Sequence, residues 1–473
     1  MRFLVMLVCP TLLSCSVWLD LDKSKLGGYQ DATGDGPAEV ADDMEGDADA
    51  DAPMDSPGET PDDVSIEDPC PGERECSGDL ECDDGDVCTT DTCETTCGIC
   101  SHEAMTGLTV GMEDYRIRIT EHSTSSTVKI ALAGSLYGAT WAEAPASDTS
   151  NGEIWFATFT EDGAELSPMR LTDNSVPDRE PAIAWSGSEF GISWYQGGTS
   201  RMTRFERIGT DGFQGGIVDV ISGVTDLSLH DMVWDGATYG LTWTETNAGR
   251  QQVWFARLQP DGSFYISPNQ ITTLATASTP SLTWTGSEYG VAWIDGRHPT
   301  SGWDESDIYF QRIATTGEEV LSSDLQVTTA SLRSELPDLV WSGSEYAVAW
   351  HDYRDGASPE IYFARITGDG LKNGVDERIT DEPGTFSTSP SIAHGDGHYG
   401  LAYNSNGALI FYLLDEVGVV IGERLQVNSG EDVWIGPDLL WNGEAGHVYY
   451  GVGWQTETLG IEMFNFVKMC SGE

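Results

Sequence analysis

The sequence predicts an all-β chain whose larger part is a seven-bladed β-propeller closed by an N-terminal strand. Three observations carry that expectation. A first-strand signature recurs at Pro181–Trp185, Asp231–Trp234, Pro280–Trp284, Pro337–Trp341, Pro390–His394 and Pro437–Trp441, with spacings of 49, 50, 57, 53 and 47 residues. Each period holds four short apolar segments, which is the repeat arithmetic of a propeller. Composition agrees, because 54 Gly, 20 Pro and 16 Trp suit many short strands and turns better than long helices.

Within a unit, a Gly-containing turn leads to a second strand that ends in an aromatic, as in Tyr289–Trp293 and Tyr346–Trp350. An earlier copy, Val128–Trp141, lacks the first Trp. Third strands are expected at Glu153–Phe159, Arg201–Ile208, Gln252–Leu258, Asp307–Ile313, Glu360–Ile366, Ala408–Leu414 and Gly460–Phe466. Fourth strands are expected at Met169–Thr172, Val218–Ser222, Asn269–Thr272, Leu325–Thr328, Glu377–Thr380 and Arg424–Asn428. One fourth strand is therefore missing at the end of the chain. Tyr115–Thr120 (Tyr-Arg-Ile-Arg-Ile-Thr) copies its pattern at the front, and pairing it beside residues 460–466 would close the ring and hide its edges. The aromatics at strand ends are read as packing between blades.

Ahead of the propeller, assigned to residues 105–473, the chain divides into three segments. Residues 1–14 read as a signal peptide, one positive charge followed by an apolar core. The run Leu12-Leu13-Ser14-Cys15 resembles the bacterial lipobox. That resemblance implies cleavage before Cys15 and acylation of its thiol and amine, which would hold the chain on a membrane. Ser16 after the Cys implies, by the same resemblance to Gram-negative lipoproteins, the outer membrane, on its periplasmic or cell-surface side. The alternative is an ordinary secretory signal with an incidental Cys15. Residues 15–69 form an acidic tether with scarcely an aromatic, expected to be disordered and extended by self-repulsion. Its alternating Asp residues allow weak Ca2+ association but no structured site, and no other cofactor is expected.

Residues 70–104 form a cysteine-rich module. Cys70, Cys76, Cys82, Cys88, Cys93, Cys97 and Cys100 fall within 31 residues, a density that reads as a disulfide framework in an exported chain. Cys97-x-x-Cys100 leaves zinc as an alternative. With Cys9 removed in the signal and Cys15 acylated, seven module cysteines remain with Cys470, so full pairing requires Cys470 to reach the module. The stretch Cys82–Cys93 resembles the Cys-Thr-x-Asp-x-Cys repeats of slime-mould and myxobacterial surface proteins, which implies an extracellular setting.

The formal net charge of −55 excludes nucleic-acid binding through a basic surface. Residues 16–100 hold 26 acidic and 3 basic residues, and the remaining acidity belongs to the propeller itself. No His-Glu-x-x-His, phosphate loop or dinucleotide fingerprint occurs. The phrases Trp293-Ile-Asp-Gly-Arg297 and Trp350-His-Asp-Tyr-Arg354 resemble repeats of bacterial secreted propellers, including sialidase-like ones. The sialidase Arg-Ile-Pro start and Ser-x-Asp-x-Gly-x-x-Trp boxes are absent.

The leading expectation is therefore a non-enzyme, a lipid-anchored propeller that binds an unknown protein or glycan. The alternatives are a glycoside hydrolase or lyase, whose mark would be carboxylates with raised pKa converging on the axial funnel, and a structural envelope component. Turns between strands 1–2 and 3–4 are short, whereas connections 2–3 and 4–1 are longer and share the other face. That face carries Arg179, Asp295, Arg297, Trp303, Arg333, Asp352 and Arg354 as candidate ligand contacts. The competing reading makes Asp295–Arg297 and Asp352–Arg354 turn-bracing ion pairs.

Overall fold

A computed structural model describes residues 82, 89–94, 99–104, 107–110, 115–118 and, with short breaks, 128–472. The signal, Cys15, the tether, and Cys70, Cys76, Cys88 and Cys97 lie outside the described residues, as does any pairing of Cys470. All the named elements are strands, as expected of an all-β propeller.

Six blades follow one another, at residues 129–170, 178–224, 227–270, 277–326, 334–378 and 387–426, and are numbered here in that order. Each is a four-stranded antiparallel meander in sequence order. The next sheet departs from the expected seventh equal blade because it has five strands. Val433–Glu444, His447–Thr458 and Ile461–Gly472 form three of them. The last is 12 residues long and receives two short N-terminal partners along one edge. Tyr115–Arg118 pairs with Met463 to Phe466, in the stretch anticipated from sequence. Gly107–Val110 pairs with Met469 to Gly472, and no sequence signal had placed it there. This closing sheet touches the inner strands of both blade 6 and blade 1.

The fourth strands of blades 1, 3, 4, 5 and 6 stop two residues before the expected Thr or Asn. The cause is a clasp. Thr172, Thr272, Thr328 and Thr380 leave the ladder so that each hydroxyl accepts from a third-strand N–H, on Ile154, Val253, Ile308 and Ile361, at 2.8–2.9 Å. Each hydroxyl then donates to a buried side chain at the start of that strand, namely Glu153, Gln252, Asp307 or Glu360. Asn428 takes the Thr place in blade 6, accepting from Leu409 N–H at 2.9 Å.

Blades pack through a repeated aromatic-on-glycine contact. Tyr346 of blade 5 is fully buried against the second strand of blade 4, and a Cβ on Gly290 there would lie 2.5 Å from its ring. Gly240 meets Tyr289 in the same way at 2.4 Å. The first-strand Trp packs at a steep tilt against the following aromatic, with ring centroids 4.7 Å apart in Trp185–Phe190, Trp234–Tyr239, Trp284–Tyr289 and Trp341–Tyr346. His394 replaces that Trp and keeps the same 4.7 Å spacing to Tyr399, so its place is set by packing.

In the cysteine module, Thr89–Glu94 and Ile99–Ala104 form a hairpin. Cys82 and Cys100 are disulfide-linked and Cys93 is also oxidised.

Candidate functional site

The inner strands converge on a cavity of about 320 Å³ at the propeller axis. Its mouth is built by one device used repeatedly. Glu180, Thr279, Leu336 and Ser389 each precede a Pro and each adopt a left-handed backbone, with φ of 51°, 54°, 51° and 52°. A residue before Pro normally prefers extended backbone, so this conformation carries strain. Pro supplies no N–H to the ladder, and a bulge forms there, as where Thr279 and Pro280 together face Trp293 across blade 4. The bulge presents the pre-Pro residue and the Pro to the cavity in these four blades. These residues begin the inner strands, so the mouth lies where the long 4–1 connections end.

The residue three places before each first-strand Trp position is Lys129, Ala182, Asp231, Ser281, Asp338, Ser391 or Asp438, and of these Lys129, Asp231, Ser281, Asp338 and Ser391 line the cavity. Five of the seven side chains accept the backbone N–H that follows the equivalent position in the next sheet. Asp231 accepts from Leu282 at 2.9 Å and Ser281 from Leu339 at 3.0 Å. Asp338 accepts from Ile392 at 2.8 Å, Ser391 from Leu439 at 3.0 Å, and Asp438 from Ile130 at 2.8 Å. The serines also donate to Asp338, Ser281 at 3.1 Å and Ser391 at 3.0 Å. Lys129 Nζ donates to Asp438 Oδ1 at 2.7 Å, an ion pair between residues 309 apart in the chain.

Three carboxylates therefore share the axis with one ammonium. Burial pushes the Asp231 carboxyl up to about 6, against the opposing pull of Lys129 and of the Leu282 N–H. Burial likewise raises Asp338, opposed by Lys129 and the Ile392 N–H. Asp231 and Asp338 both line the cavity. A carboxyl titrating near 6 in a cleft is suited to proton transfer at mildly acidic pH. Among the described residues, no group of three or more His, Cys, Asp or Glu side chains is arranged to hold a metal ion.

The long-connection face uses its charges differently. Asp295 is fully buried and accepts from Trp293 Nε1 at 3.0 Å, from Arg297 N at 2.9 Å and from Arg297 Nη2 at 2.6 Å. Arg297 also pairs with Asp324 at 2.8 Å and lies 4.0 Å over the Tyr309 ring. Blade 5 repeats the assembly with Asp352, Trp350, Arg354, Asp376 and Tyr362. Burial opposes ionisation of Asp352, but the Arg354 and Trp350 hydrogen bonds prevail and lower its pKa. Both arginines are thus held inside the blade as braces between the 2–3 connection and the fourth strand. Arg179 is exposed and donates to Ser150 O at 3.0 Å. Arg333 stacks 4.0 Å over Tyr353 beside an open groove that includes Leu332, another left-handed residue at φ 82°. Trp303 lies outside the described residues. Of the six described positions, Arg297 and Arg354 brace separate blades, and Arg179 and Arg333 lie elsewhere on the face. The axial acids, in contrast, went unnoticed in the sequence, although their signal was present: the place after the repeated Pro reads Ala, Ser, Asp, Ser, Asp.

No family model matches the chain, and no curated protein matches it. Solved structures of similar fold exist. The polysaccharide lyase Uly1 is 9% identical with a TM-score of 0.48, over 77% of this chain and 93% of the lyase. A Trypanosoma rangeli sialidase is 11% identical with a TM-score of 0.42, over 77% of this chain and 60% of the sialidase. A prolyl endopeptidase is 14% identical with a TM-score of 0.41, over 70% of this chain. The chain spans 46% of that endopeptidase's length. These similar structures are named as enzymes, and the expectation of a non-enzyme is withdrawn, since non-catalytic status is not shown. That expectation rested on missing linear motifs, which cannot register polar side chains brought together from separate blades.

Proposed function

We propose that the chain is a propeller enzyme of the glycoside hydrolase or lyase type, working at the axial funnel. The observation that carries this reading is the convergence of Asp231 and Asp338 on one cavity, with both carboxyls raised by burial. In hydrolysis, Asp231 would protonate the departing glycosidic oxygen. Asp338, held by Ser281, Ser391 and Ile392, would act as the second carboxylate, on water or on the sugar carbon. In this reading the closing sheet serves as the seventh blade and fixes the Asp438 side of the axis. The same proposal places the enzyme outside the cytoplasm, on lipidated Cys15 and its acidic tether. The Cys82–Cys100 disulfide supports an oxidising compartment.

The test is incubation of the purified chain with a panel of polysaccharides, following new reducing ends and examining the products for unsaturated sugars. Reducing ends without unsaturation mean hydrolysis, and unsaturated ends mean elimination. Cleavage that survives unchanged in Asp231→Asn would remove the axial acid from the mechanism.

A further inference from the structure

Lys129 stands where the other inner strands carry Ala, Ser or Asp, and it is one of only five Lys in 473 residues. Its Nζ is 2.7 Å from Asp438 Oδ1, while the N–H of the next residue, Ile130, reaches Asp438 Oδ2 at 2.8 Å. Blade 1 thus holds both oxygens of one carboxylate. Asp231 has a different environment. Its oxygens take backbone N–H groups from Met232 at 2.8 Å and Leu282 at 2.9 Å, and among the described residues no cation lies within ion-pair distance. Asp338 takes Ser281, Ser391, Leu339 and Ile392.

The charged groups facing this centre can be taken sheet by sheet. Blade 1 gives Lys129, blade 2 gives Glu180 at the mouth, blade 3 gives Asp231, blade 5 gives Asp338 and the closing sheet gives Asp438. Blades 4 and 6 give the neutral Ser281 and Ser391. One ammonium cannot neutralise three carboxylates, and it is committed by contact to Asp438. The cost of negative charge therefore falls on the carboxylate with the weakest support.

We propose that Lys129 is a positioning residue for the axial acids: by pairing with Asp438 it reserves Asp231 as the group that carries and releases the proton in the funnel. This rests on the catalytic reading of that funnel and assigns the division of labour within it. The titration behaviour is consistent. Burial raises Asp231 and Lys129 opposes that rise, while Asp438, Asp231 and Asp338 raise Lys129 against the cost of its own burial.

The experiment is an NMR titration of carboxyl-labelled aspartates in the full chain, with the Asp231 signal assigned by its loss in Asp231→Asn. The expected wild-type midpoint is about 6. Lys129→Met should raise the Asp231 midpoint by about one pH unit, roughly tenfold in proton affinity. Lys129→Arg should restore it. Asp438→Asn, which frees the ammonium for the other two carboxylates, should lower it. A merely structural Lys129 would not produce opposite shifts from its two sides. An unchanged midpoint in Lys129→Met, or a midpoint that fails to fall in Asp438→Asn, overturns the proposal. If Lys129→Met does not fold, the Asp438→Asn measurement alone decides. Absence of any glycan cleavage by the wild-type chain would defeat the catalytic reading while leaving the proton assignment to stand or fall on the titration.

Discussion

Asp231→Asn is expected to change how folding stability depends on pH, more than stability at any single pH. The folded carboxyl titrates at about 6, against about 3.9 in an unfolded chain. A difference of about two units corresponds to about 3 kcal/mol. The sign follows from proton binding. The folded state holds this proton more tightly than the unfolded state, so the stabilisation is fully present below about pH 4 and is lost as pH rises through about 6. Asn does not ionise, so the variant lacks this slope. Its amide oxygen can still accept from Leu282, but its NH2 then faces the Met232 N–H that Asp231 Oδ1 accepts in the wild type. That mismatch should cost about 1–2 kcal/mol at every pH. The variant should therefore be the less stable protein near pH 4 and equal or exceed wild type above about pH 7, with the gap changing by up to ~3 kcal/mol. Surface acids contribute alike to both proteins and cancel, whereas Asp338, whose charge raises Asp231, faces a neutral side chain in the variant and adds to the difference. Urea denaturation followed by Trp fluorescence, repeated across that range, reads the effect directly. Parallel stability curves for the two proteins would show that the Asp231 carboxyl titrates alike in the folded and unfolded states.

Three other perturbations test the framework around the funnel. Arg354→Ala leaves buried Asp352 without its cation and Asp376 with Lys372 alone, so denaturation should show a loss of about 3 kcal/mol, and an unchanged midpoint would return Arg354 to the candidate ligand contacts. Gly290→Ala drives a methyl to within 2.5 Å of the Tyr346 ring and should cost about 1–3 kcal/mol in the same assay. Deleting residues 115–118 exposes part of the last strand's edge and should produce aggregation detectable by light scattering, whereas a monodisperse variant with unchanged melting would show that this pairing does not matter.

The repeat was legible because each blade must bury the same aromatics. Trp, Tyr and Gly recur at fixed places, and strand order follows from sequence order when every connection is a meander. The closing strand at Tyr115 was legible for the same reason, as a displaced copy of a known pattern. Gly107–Val110 was not, since four residues without a repeat partner carry no periodic signal. Fourth-strand ends were misplaced because the repeated Thr looks like a β-branched strand residue, yet its hydroxyl is used in a clasp across the blade. At the functional level, Arg297 and Arg354 look like exposed loop cations in a linear sequence, and only the fold reveals Asp324 and Asp376 beside them. The axial acids are the converse case. Each Asp is an isolated polar residue in its own strand, and the site arises when separate sheets meet at the axis.

If Asp231 delivers a proton at the funnel, its titration must appear in the pH–rate profile on a cleaved polysaccharide. A group acting as general acid must be protonated, so kcat/KM should fall as pH rises through about 6. That limb should vanish together with most of the activity in Asp231→Asn. A profile flat across this midpoint, or an Asp231→Asn enzyme that keeps the wild-type rate and limb, would show that Asp231 is not the proton donor.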